Sequence, residues 1–384
     1  MNGVFMRFSH VVPAGVVVLA LVLTGAPAAS AATEGKPSVT VIASKLDNPR
    51  GIAVGKSGKL YVAEAGRGGS GPCIDDPEGG TACLGASGAL TVVAPERKSW
   101  KHWRVVTGLP SLAGEDGGSA TGLHDISQSG YGLVGTIGGA FNLPTRDKLG
   151  EGGRLMGHVV SLYPEVRGGG VKPMADLNAY EAKCDPDKGD PGSSVDSNPY
   201  GVLATPFGAF ATDAGGNDLL RVNKNGTVST TAVFHSRMVP SPFPPPGDIP
   251  MQAVPTSVTW GPDGALYVGE LTGFPFVKGA ARVWRVVPGK SAEVYATGFM
   301  NIIDVAFDRR GRLLVLQITK EGLLAEDPTG ALIRVDVKHG GKRTELAKGK
   351  LTFPGGVAVG EDGTLYVTNK SILAGAGEVL RIRD

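Results

Sequence analysis

Five residues of this chain have side chains that could do chemistry together: Arg50, His124, Asp125, Tyr200 and Asp304. An imidazole beside carboxylates can move protons, and a guanidinium beside a phenol can capture an anion. With only 6 histidines in 384 residues, the adjacent pair His124-Asp125 stands out. Neighbouring residues of a strand point to opposite sides, so these two are not expected to bond each other. Ordinary hydrogen bonding that satisfies strand ends accounts for the same residues without any ligand. Choosing between these readings depends on the elements that bring the five together.

Those elements are repeats. An apolar alternating strand, a Gly-centred turn and a second strand rich in Leu, Tyr and Val occupy residues 49–64, and the unit returns at 255–270 and 354–369. Weaker copies occupy 125–136, 200–213 and 304–317, which makes six. Their turn glycines are Gly58, Gly130, Gly208, Gly264, Gly311 and Gly363. Each unit has the signals of a β-hairpin. A third strand follows each one, at 89–93, 158–162, 218–222, 282–286, 331–335 and 378–382. A fourth leads into the next copy, as at 104–109 and 294–299. The sixth copy has no fourth strand after it, whereas residues 39–46 have that pattern and precede copy one. A β-sandwich explains the strands but not this circular register. The expected fold is all-β: a six-bladed β-propeller closed by an N-terminal strand that completes the last blade.

In such a blade the turns after strands one and three share one face, and the connections after strands two and four share the other. The first set is short here. The second carries the extra length, at 66–87, 110–122, 138–157, 178–198, 235–254 and 319–330. Long loops on one rigid face are where binding sites concentrate, and neutral drift would have decorated both faces. The innermost strand of each blade starts at the long-loop face. Residues just before it should therefore ring the channel mouth: Arg50, His124, Tyr200, Thr256, Ile303 and Gly355, followed by Gly51, Asp125, Gly201, Ser257, Asp304 and Gly356. Asp125 and Asp304 fall on opposite blades of the ring. A second polar ring sits where strand two ends: Glu64, Thr136, Asp213, Glu270, Gln317 and Asn369. It suits side chains that satisfy the loop backbones above, and it could also widen a polar pocket.

No cofactor is expected. Calcium-dependent propeller lactonases need six or more oxygen ligands around one ion, and two carboxylates on opposite blades do not supply them. No HExxH, P-loop or GxSxG motif occurs. Residues 66–71 resemble a phosphate loop only in glycine content, with no helix expected after them. The run 240–250, rich in proline, favours polyproline II geometry, either as a stiff lip over the mouth or as a rigid crossover.

Residues 1–31 read as a secretory signal: Arg7 and His10, an apolar run at 11–23, and Ala29-Ser30-Ala31 as a cleavage site. The run is too short for a span of about 30 Å. The mature domain is then 32–384, expected to be secreted, extracellular and monomeric, without membrane insertion. Losing Arg7 leaves 37 basic against 36 acidic residues, which argues against nucleic-acid partners. The 59 glycines fall at turn positions, so neither disorder nor a collagen period fits. Of 3 cysteines, Cys73 and Cys83 lie close enough in one insertion to form a local disulfide. Cys184 is left as a buried thiol or a mixed disulfide.

The stretches 63–73 (Ala-Glu-Ala-Gly-Arg-Gly-Gly-Ser-Gly-Pro-Cys), 242–250 and 301–304 (Asn-Ile-Ile-Asp) resemble the secreted ScyD/ScyE family of actinobacterial proteins. The resemblance covers essentially the whole mature chain. It implies an exported propeller with NHL-like repeats and no assigned activity. The expectation is therefore an extracellular propeller that binds a small molecule, glycan or polypeptide on its long-loop face without catalysis. The rivals are a hydrolase or lactonase acting at the mouth through His124, Asp125, Arg50 and Asp304, and an envelope interaction scaffold.

Overall fold

Apolar residues that alternate along each strand, with glycine at the turn, fold each repeat into an antiparallel hairpin. At Gly264 and Gly363 the turn requires φ of 77° and 84°, which a side chain would resist. The computed structural model describes residues 38–75, 80–130, 132–337 and 340–384. The expected signal, 1–31, lies outside them.

Six antiparallel sheets are arranged as a propeller. Blade one comprises Pro49–Val54, Leu60–Glu64, Thr81–Glu96 and Ser99–Ala113. Blade two comprises Leu123–Ser129, Gly132–Ile137, His158–Leu162 and Val171–Asp176. Blade three comprises Pro199–Thr205, Gly208–Asp213, Asp218–Asn223 and Val228–Val233. Blade four comprises Pro255–Trp260, Leu266–Glu270, Ala281–Val286 and Glu293–Phe299. Blade five comprises Ile302–Phe307, Leu313–Gln317, Ala331–Asp336 and Lys342–Leu346. Blade six takes Gly356–Val359, Leu365–Asn369 and Gly377–Arg383 from one end of the chain and Ser38–Leu46 from the other. The closing pair runs antiparallel, with Ser38 opposite Arg383 and Leu46 opposite Gly377. Closure leaves the ring no open end to aggregate.

The second strand of four of the repeats explains the core. Leu60 and Val62, Leu266 and Val268, Leu313 and Val315, and Leu365 and Val367 occupy equivalent positions and are each 0–1% exposed. Each such side chain contributes roughly 1.5–3 kcal/mol of burial. The residue between them, a tyrosine in three of the four, points to the other side of the sheet. Tyr267, for example, packs edge-on against Phe307 of the next blade at 4.8 Å.

Several expected loops are more ordered than their composition suggests. In the 66–87 insertion, Cys73–Asp75 pairs with the start of the long third strand, and Cys73 opposite Cys83 forms the expected disulfide. The insertion is thus a sheet extension, because the fourth strand, Ser99–Ala113, follows the third along its length. The proline-rich run is a correction as well: Arg237–Pro240 pairs with Asp248–Met251 as a hairpin. Four of its six prolines, Pro242 and Pro244 to Pro246, lie at the tip, which needs no ladder N–H, while Pro240 and Pro250 stand in the paired strands, so polyproline II is confined to the tip at most. Residues 138–157 and 178–198 contain short helices, Leu143–Asp147, Gly150–Gly153 and Leu177–Cys184. Asp176 caps the last of these by accepting the Ala179 N–H at 2.9 Å. Cys184 is exposed with a free thiol, so the buried alternative is excluded.

Leu46 ends the closing strand and packs with Ile52, Leu60 and Val379, which ties blade six to blade one. Leu46→Ala should lower unfolding stability by about 2–5 kcal/mol, read from the midpoint of a urea transition. A change within about 0.5 kcal/mol would mean that closure is not held by this contact.

Candidate functional site

The first ring forms, but it is not an open mouth. Arg50, His124, Thr256 and Ile303 are buried, and Tyr200 is partly so. Arg50 Nη2 donates to the Ala120 carbonyl at 2.9 Å, on the loop that leads into blade two. His124 Nδ1 lies 3.2 Å from the Pro199 carbonyl, so a neutral imidazole carries its proton there. Its ring packs on Tyr200 at 4.6 Å. Burial, and then the Arg50 charge, pushes His124 down to about 3. The imidazole therefore stays uncharged at neutral pH. Burial raises the Tyr200 phenol, and its hydroxyl lies within reach of the Arg50 charge without a well-formed hydrogen bond.

Asp125 and Asp304 sit one layer further in. Asp125 accepts the Val202 N–H at 2.8 Å. Asp304 accepts its neighbour Val305 N–H and, across the blade boundary, Val357 N–H, both at 2.7 Å. Each carboxylate thus pins the inner strand of the next blade. Asp125 also presses on blade one, where a Cβ on Gly51 would stand 2.0 Å from Asp125 Oδ1. Glycine is the residue that fits there. Although they come from opposite blades, the two carboxylates reach the axis and their charges interact. Burial, and then Asp304, raises Asp125 well above its ordinary value, and burial pushes Asp304 up to about 7.

Below this pair the six inner strands line a central channel of about 330 Å³. Its other end is formed by Gln128, Trp260 and Phe307, at the short-turn face. The channel is therefore blind toward the long loops. A second cleft of about 770 Å³ lies between the short turns of blades two and three, lined by Gln128, Tyr163, Lys172 and Lys224. Sequence reasoning favoured the long-loop face for binding, because loop length is legible in a chain and side-chain packing across blades is not.

The second ring ties down loops. Glu64 accepts the Asp47 N–H at 2.7 Å, Asp213 the Asn198 N–H at 2.6 Å, Gln317 the Met300 N–H at 3.0 Å and Asn369 the Thr352 N–H at 2.8 Å. Thr136 donates to the Tyr200 carbonyl. Glu270 is instead held by Arg237 at 2.6 Å and by Trp284 Nε1 at 2.7 Å. Arg104 bridges Glu64 and Asp47, each at 2.7 Å, and its guanidinium is held firmly protonated by Glu64 first. All of these acceptors are buried.

Two features of the long-loop face were not singled out from the sequence. The first is an apolar ridge. Phe243 at the proline-rich tip is 62% exposed and stacks on Phe274, itself 41% exposed, with rings 6.0 Å apart and 13° from parallel. Phe276 continues the ridge edge-on at 6.4 Å. The proline-rich run was the available signal. The second is a group of buried carboxylates around Glu181, for which the spacing Asp185, Asp187, Asp190 was the available signal.

No protein-family model matches the chain. No curated protein matches it. Among solved structures it is similar to a gluconolactonase from Xanthomonas campestris, 10% identical with a TM-score of 0.52 over 91% of this chain and 90% of that one. It is also similar to the PQQ-bound aldose sugar dehydrogenase of Streptomyces coelicolor, at 15%, 0.50, 91% and 98%. A third similar structure is a protein of unknown function from Bacteroides thetaiotaomicron, at 9%, 0.54, 90% and 76%. At these identities the likeness is one of fold alone.

The two central groups have opposite linkage. Between about 3 and 6.5 the unfolded chain binds the His124 proton and the folded one does not, so falling pH destabilises. The folded chain keeps a proton on Asp304 up to about 7, whereas the unfolded chain releases it near 3.8, so rising pH destabilises across that window. Against wild type, Asp304→Asn should gain relative stability as pH rises from about 4 to 7, by at most ~1.4 kcal/mol per pH unit. Urea transitions at several pH values measure this. A wild-type–variant difference independent of pH would show that Asp304 is ionised in the fold.

Proposed function

We propose that this chain is an exported binding propeller whose long-loop face recognises a polypeptide through the ridge of Phe243, Phe274 and Phe276. The exposed stack of Phe243 on Phe274 carries this reading. Contiguous exposed aromatics are unfavourable in water and mark interaction surfaces, where they act as anchors. The ridge borders the 319–330 loop, which adds the exposed Leu323 and Leu324. The ion pair of Lys278 with Glu321, at 2.5 Å, gives this border a charged rim. An apolar strip inside a polar rim is the composition of a protein interface.

Two further observations favour a polypeptide over a small molecule on this face. The first ring is packed shut, so the channel offers no entrance there. The ridge projects outward, whereas small-molecule sites are concave. Export is supported by the sequence of residues 1–31 and by the Cys73–Cys83 disulfide, which persists in oxidising compartments. The ScyD/ScyE resemblance fits the same picture. The hydrolase alternative is less favoured because His124 is enclosed, uncharged and bonded to a backbone carbonyl.

A photo-crosslinking residue placed at Phe274 should capture a polypeptide on secreting cells, while one placed at Lys224 on the short-turn face should not. Binding of the captured partner should weaken about tenfold or more in Phe243→Ala/Phe274→Ala, with thermal midpoint unchanged. Equal binding by that variant would overturn the reading. A ligand that survives both changes but is lost in Lys172→Ala would move the site to the 770 Å³ cleft. Turnover of an ester or lactone abolished by His124→Ala would replace binding with catalysis.

A further inference from the structure

One group of carboxyl side chains is enclosed and, among the described residues, meets no ion-pair partner. Glu181, Asp185 and Asp187 each place one oxygen within 4.8 Å of the others. Glu181 and Asp187 are 2% exposed, and Asp218, whose charge interacts with both, is 0% exposed. Both oxygens of Glu181, both of Asp218 and Oδ1 of Asp187 have no hydrogen-bond partner. The other Asp187 oxygen accepts Asn217 Nδ2 at 2.9 Å. Asp213 is already satisfied by Ser197 and by the N–H groups of Asn198, Gly215 and Gly216. Among the described residues, no Lys or Arg ion pair reaches any of these carboxylates. Burial, and then the neighbouring carboxylates, pushes Glu181 up to about 8.

Five orphaned carboxylate oxygens in an enclosed place are a large cost unless a cation meets them. The backbone accounts for their convergence. Glu181 stands one turn before the end of the Leu177–Cys184 helix. Asp185 then takes a left-handed turn at φ 44°, which brings Asp187 back toward Glu181. On the facing side a Cβ at Gly216 would lie 2.9 Å from Glu181 Oε2, so the 213–218 turn approaches closely because that residue is glycine. Asp185 is only partly buried, which leaves a way in from solvent.

We propose that Glu181, Asp185 and Asp187 form a binding site for one calcium ion, with the unpartnered carboxylate of Asp218 in its charged surround. The donor set is all oxygen, with no imidazole or thiolate in the group, which suits a hard cation over zinc or copper. Calcium accepts six to eight oxygens, including bidentate carboxylates, in irregular geometry. Magnesium demands a near-octahedral shell and keeps several waters, which an enclosed cluster of side chains supplies poorly. The ion would tie the end of the helix to the turn at 185–187, against which Gly216 packs closely. This site is separate from the channel carboxylates and does not depend on the ridge.

The test uses the secreted protein, freed of metal with a chelator and titrated calorimetrically with calcium chloride. One ion per chain should bind, with half-saturation on the order of 10⁻⁵–10⁻³ M, and calcium should raise the thermal midpoint. Glu181→Gln and Asp187→Asn should each lose both effects. In chelator, Glu181→Gln should melt above wild type, because a carboxyl enclosed among other carboxyls without a cation is replaced by a neutral amide. That rise is not expected of a residue with a merely structural hydrogen bond. The proposal is overturned if millimolar calcium gives neither heat nor a midpoint shift in the wild type, a result that stands whether or not the variants fold. It is overturned equally if Glu181→Gln keeps the calcium response, or if that response disappears in Asp304→Asn and so belongs to the channel. A matching midpoint rise with magnesium would overturn the assignment to calcium.

Discussion

The pairing of Ser38–Leu46 with Gly377–Arg383 is the constraint on which the rest of the molecule depends. Six sheets converge on one axis, and each inner strand has a neighbour on both sides only if the ring is complete. Closure forces the inner strands close enough for a carboxylate on one blade to accept an N–H from the next. Asp125 to Val202 and Asp304 to Val357 are those contacts. The same crowding brings two carboxylates from opposite blades into electrostatic contact and leaves space beside Asp125 only for glycine at Gly51. Central charge and central crowding are thus two results of one geometric condition.

The two faces divide their roles on physical grounds. On the long-loop side, buried acceptors such as Glu64, Asp213, Gln317 and Asn369 hold loop N–H groups, and Glu270 holds Arg237 and Trp284. Loops anchored this way can hold exposed aromatics in fixed positions. On the short-turn side there is little chain to fill the space between blades, so the channel and the cleft remain open there.

The fold was legible because the repeated Leu and Val of the second strand mark buried positions with a period of two, and glycine marks the turns. Residues 39–46 could be assigned to the last blade for the same reason. The ring positions were legible from register alone. Their accessibility was not: the burial of Arg50 depends on Ala120, 70 residues away, and that of His124 on Pro199, 75 away. Reading Asp125 and Asp304 as separated treated opposite blades as distant, whereas the axis of a small ring is narrow. The carboxylates around Glu181 were missed because only the left-handed turn at Asp185 folds Asp187 back onto the helix. The hairpin in the proline-rich run was missed because the tip dominates its composition, while the pairing residues flank it.

The register of the closing strand has one more consequence. Ser38 lies opposite Arg383, so the chain enters and leaves the propeller side by side at the rim of blade six, on the short-turn face. A surface, tag or fused domain joined through either end would therefore hold the molecule by its back. The aromatic ridge would face away from the attachment, oriented outward without any added device.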